Sequence, residues 1–219
     1  MGGVNRRLLA WWALVLTIGG LALAVRLTSP PENERVPPFF TWSFGLGGLV
    51  QYAVWLGLVL AIAAGLRRRE AFALRRPSSL GRAVRFALVA IAIAAATSAI
   101  VGPLLDPGKE QGILPRRWVH GHIGPFVLSV VAVAVVAPIV EELMFRGLGF
   151  SLLRGYGRRA AILGVGLAFG LAHGIPEALP ILVPFGSALA YLRDRTGSVY
   201  PGMVVHGLFN AVAVIIAVA

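Results

Sequence analysis

Five ionisable side chains interrupt apolar stretches in the second half of the chain. They are Glu141, Glu142, Arg146, His173 and His206. A charge at the centre of a membrane helix costs roughly 2.5–3.5 kcal/mol on insertion scales, so each is a functional candidate by default. A carboxylate with imidazoles in a semi-dry pocket suits hydrolysis, because a buried Glu can take a proton from water and His can stabilise an oxyanion.

The first group lies on a single predicted helix. Glu142 and Arg146 are four residues apart, so they share a helix face and are expected to pair. Glu141 is turned about 100° away, which leaves its carboxylate free for chemistry. Pro138 removes one helix hydrogen bond and predicts a kink just before the Glu pair.

Two further pairs have the same four-residue spacing, and each pair shares a helix face. They are Phe169 with His173, and His206 with Asn210. Counted from the arginine-rich ends of their helices, Glu141 and His173 lie about 20 Å deep and His206 at most about 16 Å. The polar sites of three helices are therefore expected to meet near the membrane midplane.

Several other hydrolytic arrangements are disfavoured. The chain has no cysteine, no Gly-x-Ser-x-Gly and no His-Glu-x-x-His. Its two aspartates, Asp106 and Asp194, fall in predicted loops, which argues against an aspartyl dyad. Two histidines and a carboxylate are nevertheless a possible zinc ligand set, so a metal stays open at Glu141, His173 and His206.

Three motifs stand in order on successive apolar segments. Glu-Glu-x-x-x-Arg spans residues 141–146, Phe-x-x-x-His spans 169–173 and His-x-x-x-Asn spans 206–210. Together they resemble the CPBP intramembrane proteases, which include the CAAX prenyl endopeptidases and the Abi proteins. The resemblance covers about residues 120–215.

The resemblance implies roles for the acidic motif. Glu141 would be the general base that activates water, while Glu142 and Arg146 would organise the site. The resemblance favours a glutamate-driven reaction without a metal.

The resemblance also implies roles for the other two motifs. His173 would hold or polarise the water, and His206 and Asn210 would form the oxyanion hole. Phe169 would be a packing wall for the substrate.

The composition indicates which fold positions these side chains. Of the 219 residues, 58% are apolar and 13% charged, and the mean hydropathy is +0.82. These values predict an all-α, polytopic bundle of about seven membrane-spanning helices. The predicted spans are Leu8–Val25, Val36–Leu66, Phe86–Leu105, Ile123–Leu153, Ala160–Ile175, Ala178–Leu192 and Ser198–Ala219. The first could also be a signal peptide, but its length favours a retained helix.

The net charge of +11 is distributed unevenly. With the N-terminus in the cytoplasm, the inner segments hold fourteen of the 20 basic residues and the outer segments five. This bias predicts a cytoplasmic N-terminus, and it gives no support to a nucleic-acid partner. The basic connection Arg67–Arg85, which contains Phe72, Leu74 and Leu80, is either bound to the anionic inner leaflet or only a signal for the orientation of the chain.

We therefore expect a multi-pass protein of the cell membrane. Residues 1–119 would be helices without an assigned motif, and residues 120–219 the catalytic core. The expected function is endopeptidase action on a membrane-associated protein or peptide within the lipid bilayer. The alternatives are a non-catalytic immunity or partner-binding protein of the same fold, and a proton- or ion-coupled transporter.

Overall fold

The structure is a computed structural model that describes residues 2–28, 36–105 and 117–218. Helices account for nearly all of it. The described residues contain no β-strand. The long helices are α1 (Gly2–Thr28), α2 (Trp42–Ile62), α3 (Leu80–Leu105), α4 (Ile123–Tyr156), α5 (Arg158–Ala172), α6 (Leu179–Thr196) and α7 (Tyr200–Val218). The predicted all-α class is thus confirmed, and each predicted span overlaps one of these helices.

Five of these helices, all within the described residues, are long and apolar enough to span a membrane. The stretches that are long and apolar enough are Asn5–Thr28, Trp42–Ile62, Leu80–Pro103, Ile123–Tyr156 and Tyr200–Val218. Helices α5 and α6 have 15 and 18 residues and fall outside this set. The helix of the predicted second span begins later, at Trp42, because Pro37 and Pro38 lead into a short 3₁₀ turn, and it ends earlier, at Ile62. Helix α3 begins earlier than predicted, at Leu80.

Helix α4 carries the Glu pair and is interrupted twice by π-helical turns. The first covers Ala132–Val136 and the second Leu143–Gly149, with the α-helical segment Ala137–Glu142 between them. Pro138 cannot donate to the carbonyl one turn earlier, at Ala134, so the first π turn falls where the proline breaks the α-helical pattern. Both carboxylates therefore project from a short α-helical segment between two wider turns.

The second π turn is fixed by side chains from distant helices. The indole N–H of Trp11 donates to the carbonyl of Met144 at 3.0 Å, and the guanidinium of Arg193 donates to the carbonyl of Arg146 at 3.1 Å. A π turn leaves helix carbonyls without their usual partners, and these donors supply replacements. Trp11 is fully buried.

Helices α5 and α6 cross with their backbones in contact. A Cβ on Gly186 would lie 3.0 Å from the Cα of Gly166, so neither position has room for a larger residue. Small residues permit such close approach between membrane helices, as the glycines of this region predict. The crossing places the Gly186 carbonyl next to the polar centre of the bundle.

The connection from α2 to α3 does not simply lie on the lipid surface. Phe72 is only 2% exposed and packs against Gly147 of the second π turn. The backbone N–H of Ser78 donates to the carbonyl of Thr196 at 3.1 Å. The expectation of a leaflet-bound loop is therefore wrong for Phe72, because its ring is buried against α4, whereas Leu80 remains 75% exposed.

Candidate active site

A buried ion pair lies at the centre of the site. Arg146 Nη1 and Glu142 Oε1 are 2.9 Å apart, and both side chains have no exposed surface. Arg146 Nη2 also donates to the Gly186 carbonyl at 3.1 Å. The pairing predicted from the four-residue spacing is confirmed, and it neutralises one of the two carboxylates within α4.

His206 of α7 reaches both carboxylates of α4. Its Nδ1 lies 3.3 Å from Oε1 of Glu142, and its Nε2 lies 3.8 Å from Oε2 of Glu141. Glu141 is 7% exposed and His206 only 2%. The structure thus brings together the two residues whose helical depths predicted that they would meet.

The two oxygens of Glu141 have different surroundings. Oε1 accepts a hydrogen bond of 3.1 Å from the hydroxyl of Tyr52 on α2. Oε2 is buried and has no hydrogen-bond partner among the described residues. Tyr52 was not predicted as a site residue from the sequence. A phenol in the middle of an apolar span needs a hydrogen-bond partner, so its position alone could have indicated a contact with the site.

Phe169 packs against both the Arg146 guanidinium and the two imidazoles. The guanidinium carbon of Arg146 lies 4.4 Å from the centre of its ring. The rings of His173 and His206 have centroids 4.7 and 5.5 Å from it, both edge-on. Phe169 is 1% exposed, so its ring is part of the packed interior of the site and contacts both imidazoles.

His173 follows directly after the last residue of α5 and is half-buried. Its Nδ1 lies 2.7 Å from the main-chain carbonyl oxygen of Phe169. Because a carbonyl only accepts, Nδ1 carries the proton, and Nε2 of the neutral ring keeps a lone pair. The structure therefore joins His173 to the site through Phe169, with Nε2 available for a second contact.

Asn210 lies one helical turn after His206, but its amide is used within the bundle. Its Nδ2 donates to the Val133 carbonyl at 2.9 Å, and Val133 belongs to the first π turn of α4. One amide hydrogen of Asn210 is thus committed to holding α4. The second is the one that remains for the predicted oxyanion role.

A zinc ion fits this arrangement poorly. No group of three or more His, Cys, Asp or Glu side chains in the described part of the chain is placed to hold a metal. The predicted ligands Glu141, His173 and His206 do not form such a group in this structure.

Comparison with known families locates this site within one segment of the chain. No curated protein and no solved structure matches the chain significantly. The family model described as type II CAAX prenyl endopeptidase Rce1-like matches residues 123–212, which include all three motifs. The chain is an integral membrane protein. It has both this family match and helices that are long and apolar enough to span a bilayer. Residues 123–212 are thus similar to the Rce1-like CAAX endopeptidase family, which confirms the resemblance indicated by the three motifs.

Proposed function

We propose that the chain is an intramembrane endopeptidase that hydrolyses a peptide bond of a membrane-associated protein or peptide. The observation that carries the proposal is the environment of one carboxylate oxygen. Oε2 of Glu141 is buried, has no hydrogen-bond partner among the described residues, and faces Nε2 of His206 at 3.8 Å. That separation is too long for a direct hydrogen bond, so Oε2 keeps its capacity to accept a proton from a water that enters the site.

The first step is activation of that water. Oε2 of Glu141 accepts a proton from it, and the oxygen forms a bond to the carbonyl carbon of the scissile peptide. The lone pair on Nε2 of His173 is available to orient the water. Glu142 is unsuited to the same task because Arg146 neutralises it.

The second step is stabilisation of the oxyanion. The cluster contains two carboxylates and one guanidinium, so a protonated His206 makes it neutral overall. Nδ1–H of His206 then donates to Glu142, and Nε2–H is available to the developing oxyanion. The uncommitted amide hydrogen of Asn210, one turn along α7, is the second donor.

The third step is collapse of the tetrahedral intermediate. Glu141 returns its proton to the amine nitrogen, the C–N bond breaks, and a carboxylic acid and an amine are released. One water is consumed for each bond broken, so no oxidant, reductant or cofactor is required. The carboxylate of Glu141 is regenerated in its starting form.

The proposal includes the arrangement in the membrane. The chain would cross the bilayer seven times, with the N-terminus in the cytoplasm and α5 and α6 as short spans within the bundle. The arginine-rich ends of α4, α5 and α6 would then face the cytoplasm, as the positive-inside bias requires. The site would open towards that side.

The decisive experiment compares membrane-proximal peptides from cells that carry the wild type or Glu141→Ala. We expect at least one new peptide end that requires Glu141. A synthetic peptide spanning that bond is then cleaved by purified wild-type protein and not by Glu141→Gln. Glu70→Gln is the matched control, since the Glu70 side chain is 69% exposed on the α2–α3 connection.

Other outcomes would replace the proposal. If Glu141→Ala is as abundant as wild type and preserves both the cellular phenotype and all peptide ends, a partner-binding protein is supported instead. If liposomes show substrate flux that Glu141→Gln abolishes, without peptide cleavage, a transporter is supported.

A further inference from the structure

The hydroxyl of Tyr52 contacts the site from a helix outside the family match. It donates to Oε1 of Glu141 at 3.1 Å, across 89 residues of sequence. The family match begins at residue 123, whereas Tyr52 lies on α2. The contact is therefore contributed by the part of the chain to which the sequence assigned no motif.

Small residues hold α2 close to α4 on the face that carries Tyr52. Gly45 and Tyr52 are seven residues apart, so they share a helix face. A Cβ on Gly45 would lie 2.8 Å from the Cγ of Leu128, and one on Gly48 would lie 3.6 Å from the Cβ of Ala132. Close packing at these points limits the freedom of α2 to slide or rotate, and it delivers the phenol to a fixed place.

The other side of the Tyr52 ring is also in contact. Its centroid lies 5.0 Å from the Trp55 ring, with the two planes at 80°. Edge-on aromatic contacts of this kind favour one ring orientation. Packing thus holds both the Tyr52 ring and the helix that carries it, and this fixes the position of the hydroxyl against Glu141.

One hydrogen bond on Oε1 determines where Oε2 points. A Glu carboxylate turns easily about its last torsion, which has a broad energy profile. With Oε1 held by Tyr52, Oε2 is directed towards Nε2 of His206 at 3.8 Å. Without that bond the carboxylate can rotate, and either oxygen can turn away from the position where water must be activated.

We propose that Tyr52 is a positioning residue, which orients the carboxylate of Glu141 so that Oε2 acts as the base. The assignment rests on the proposed peptidase function. Tyr52 acts through Glu141 and has no direct contact with the scissile bond. It would also make α2 a required part of the active enzyme.

The test is the kinetics of Tyr52→Phe on the synthetic peptide identified through Glu141→Ala. Loss of a hydrogen bond to a charged group predicts a fall in kcat of at least about tenfold. KM should stay within about twofold, because substrate binding does not use this bond. Tyr156→Phe is the matched control, since it also removes a hydroxyl hydrogen bond, to Asn5, at an exposed position.

A double-mutant cycle separates positioning from a general loss of structure. Glu141→Asp has a shorter side chain that cannot make both contacts at once. In that background Tyr52→Phe should change the residual kcat by less than about twofold. An equal loss in both backgrounds would assign Tyr52 a structural role and overturn the proposal.

A second variant covers the case in which Tyr52→Phe is poorly folded. Gly45→Ala retains the Tyr52 hydroxyl but forces α2 away from Leu128, so it should also lower kcat with KM retained. Gly48→Ala meets only an ordinary contact and should keep the wild-type rate. If Glu141→Gln still cleaves, the peptidase proposal fails; if Glu141→Gln is inactive but Tyr52→Phe has wild-type kcat, only the Tyr52 assignment fails.

Discussion

The indole N–H of Trp11 donates a 3.0 Å hydrogen bond to the carbonyl of Met144, two residues after the Glu pair. This bond joins the first helix of the chain to the second π turn of α4. The ring also fills the space beside Gly149, where a Cβ would collide with the indole. The N-terminal helix is therefore part of the structure that shapes the site.

Replacement of Trp11 by phenylalanine should lower stability. The change removes the donor and leaves a buried carbonyl without its partner, which costs about 1–3 kcal/mol. The midpoint of thermal unfolding in detergent should fall accordingly. Trp42→Phe is the control, because Trp42 is 57% exposed. Equal midpoints for Trp11→Phe and wild type would mean that the carbonyl finds another donor.

The ion pair of Glu142 and Arg146 predicts a larger effect. Both side chains are fully buried, so Arg146→Gln leaves a carboxylate without its counter-charge. Removing one partner of a buried pair costs about 3–5 kcal/mol. Equilibrium unfolding of the purified protein should show this loss. The double variant Glu142→Gln/Arg146→Gln should recover part of it, and an Arg146→Gln variant as stable as wild type would contradict the argument.

The sequence was informative wherever local spacing determined the contact. A four-residue separation on one helix places Glu142 against Arg146, whatever the rest of the chain does. Glu141, one residue earlier, is consequently directed elsewhere, and the structure has it facing His206. The overlap of the seven predicted spans with α1 to α7 has the same origin, since long apolar stretches in a bilayer form helices.

Contacts between distant parts of the chain could not be predicted in this way. Trp11 and Met144 are 133 residues apart, and their bond depends on a π turn that no residue pattern announces. Asn210 illustrates the same limit, because its spacing puts it on the face of His206 but its amide bonds to Val133. The order in which the helices pack determines these partners, and local residue spacing does not specify that order.

Gly202 provides a prediction that concerns activity more than folding. A Cβ at this position would collide with Oε2 of Glu142. Gly202→Ala should therefore displace the carboxylate from His206 and reduce peptide cleavage by at least about tenfold. Gly47→Ala is the matched control, because a Cβ there meets nothing within 4 Å and the gain in helix propensity is the same. Full activity of Gly202→Ala would show that Glu142 can move without consequence.

Metal removal should leave cleavage unchanged. The described residues hold no three-ligand group for a metal, and the proposed base acts on water without one. Treatment with EDTA or 1,10-phenanthroline should give the wild-type rate, while a zinc peptidase treated alongside loses its activity. A loss that added zinc restores would instead support ligation by Glu141, His173 and His206.

The ion pair between Arg26 and Glu177 predicts an acid-dependent loss of stability. Nη1 of Arg26 on α1 donates to Oε2 of Glu177 at 2.6 Å, just after α5. This hydrogen bond is the main cause that lowers the pKa of the Glu177 carboxyl below its ordinary value of 4.5. A carboxyl whose pKa is lower in the folded state stabilises the fold above its unfolded pKa, and the contribution disappears as the pH falls through the folded pKa.

Wild type should thus lose more stability than Glu177→Gln between pH 6 and the acid range below 4.5. Thermal unfolding of both proteins across that range measures the difference, and parallel curves would mean that the Arg26 contact does not stabilise the folded state.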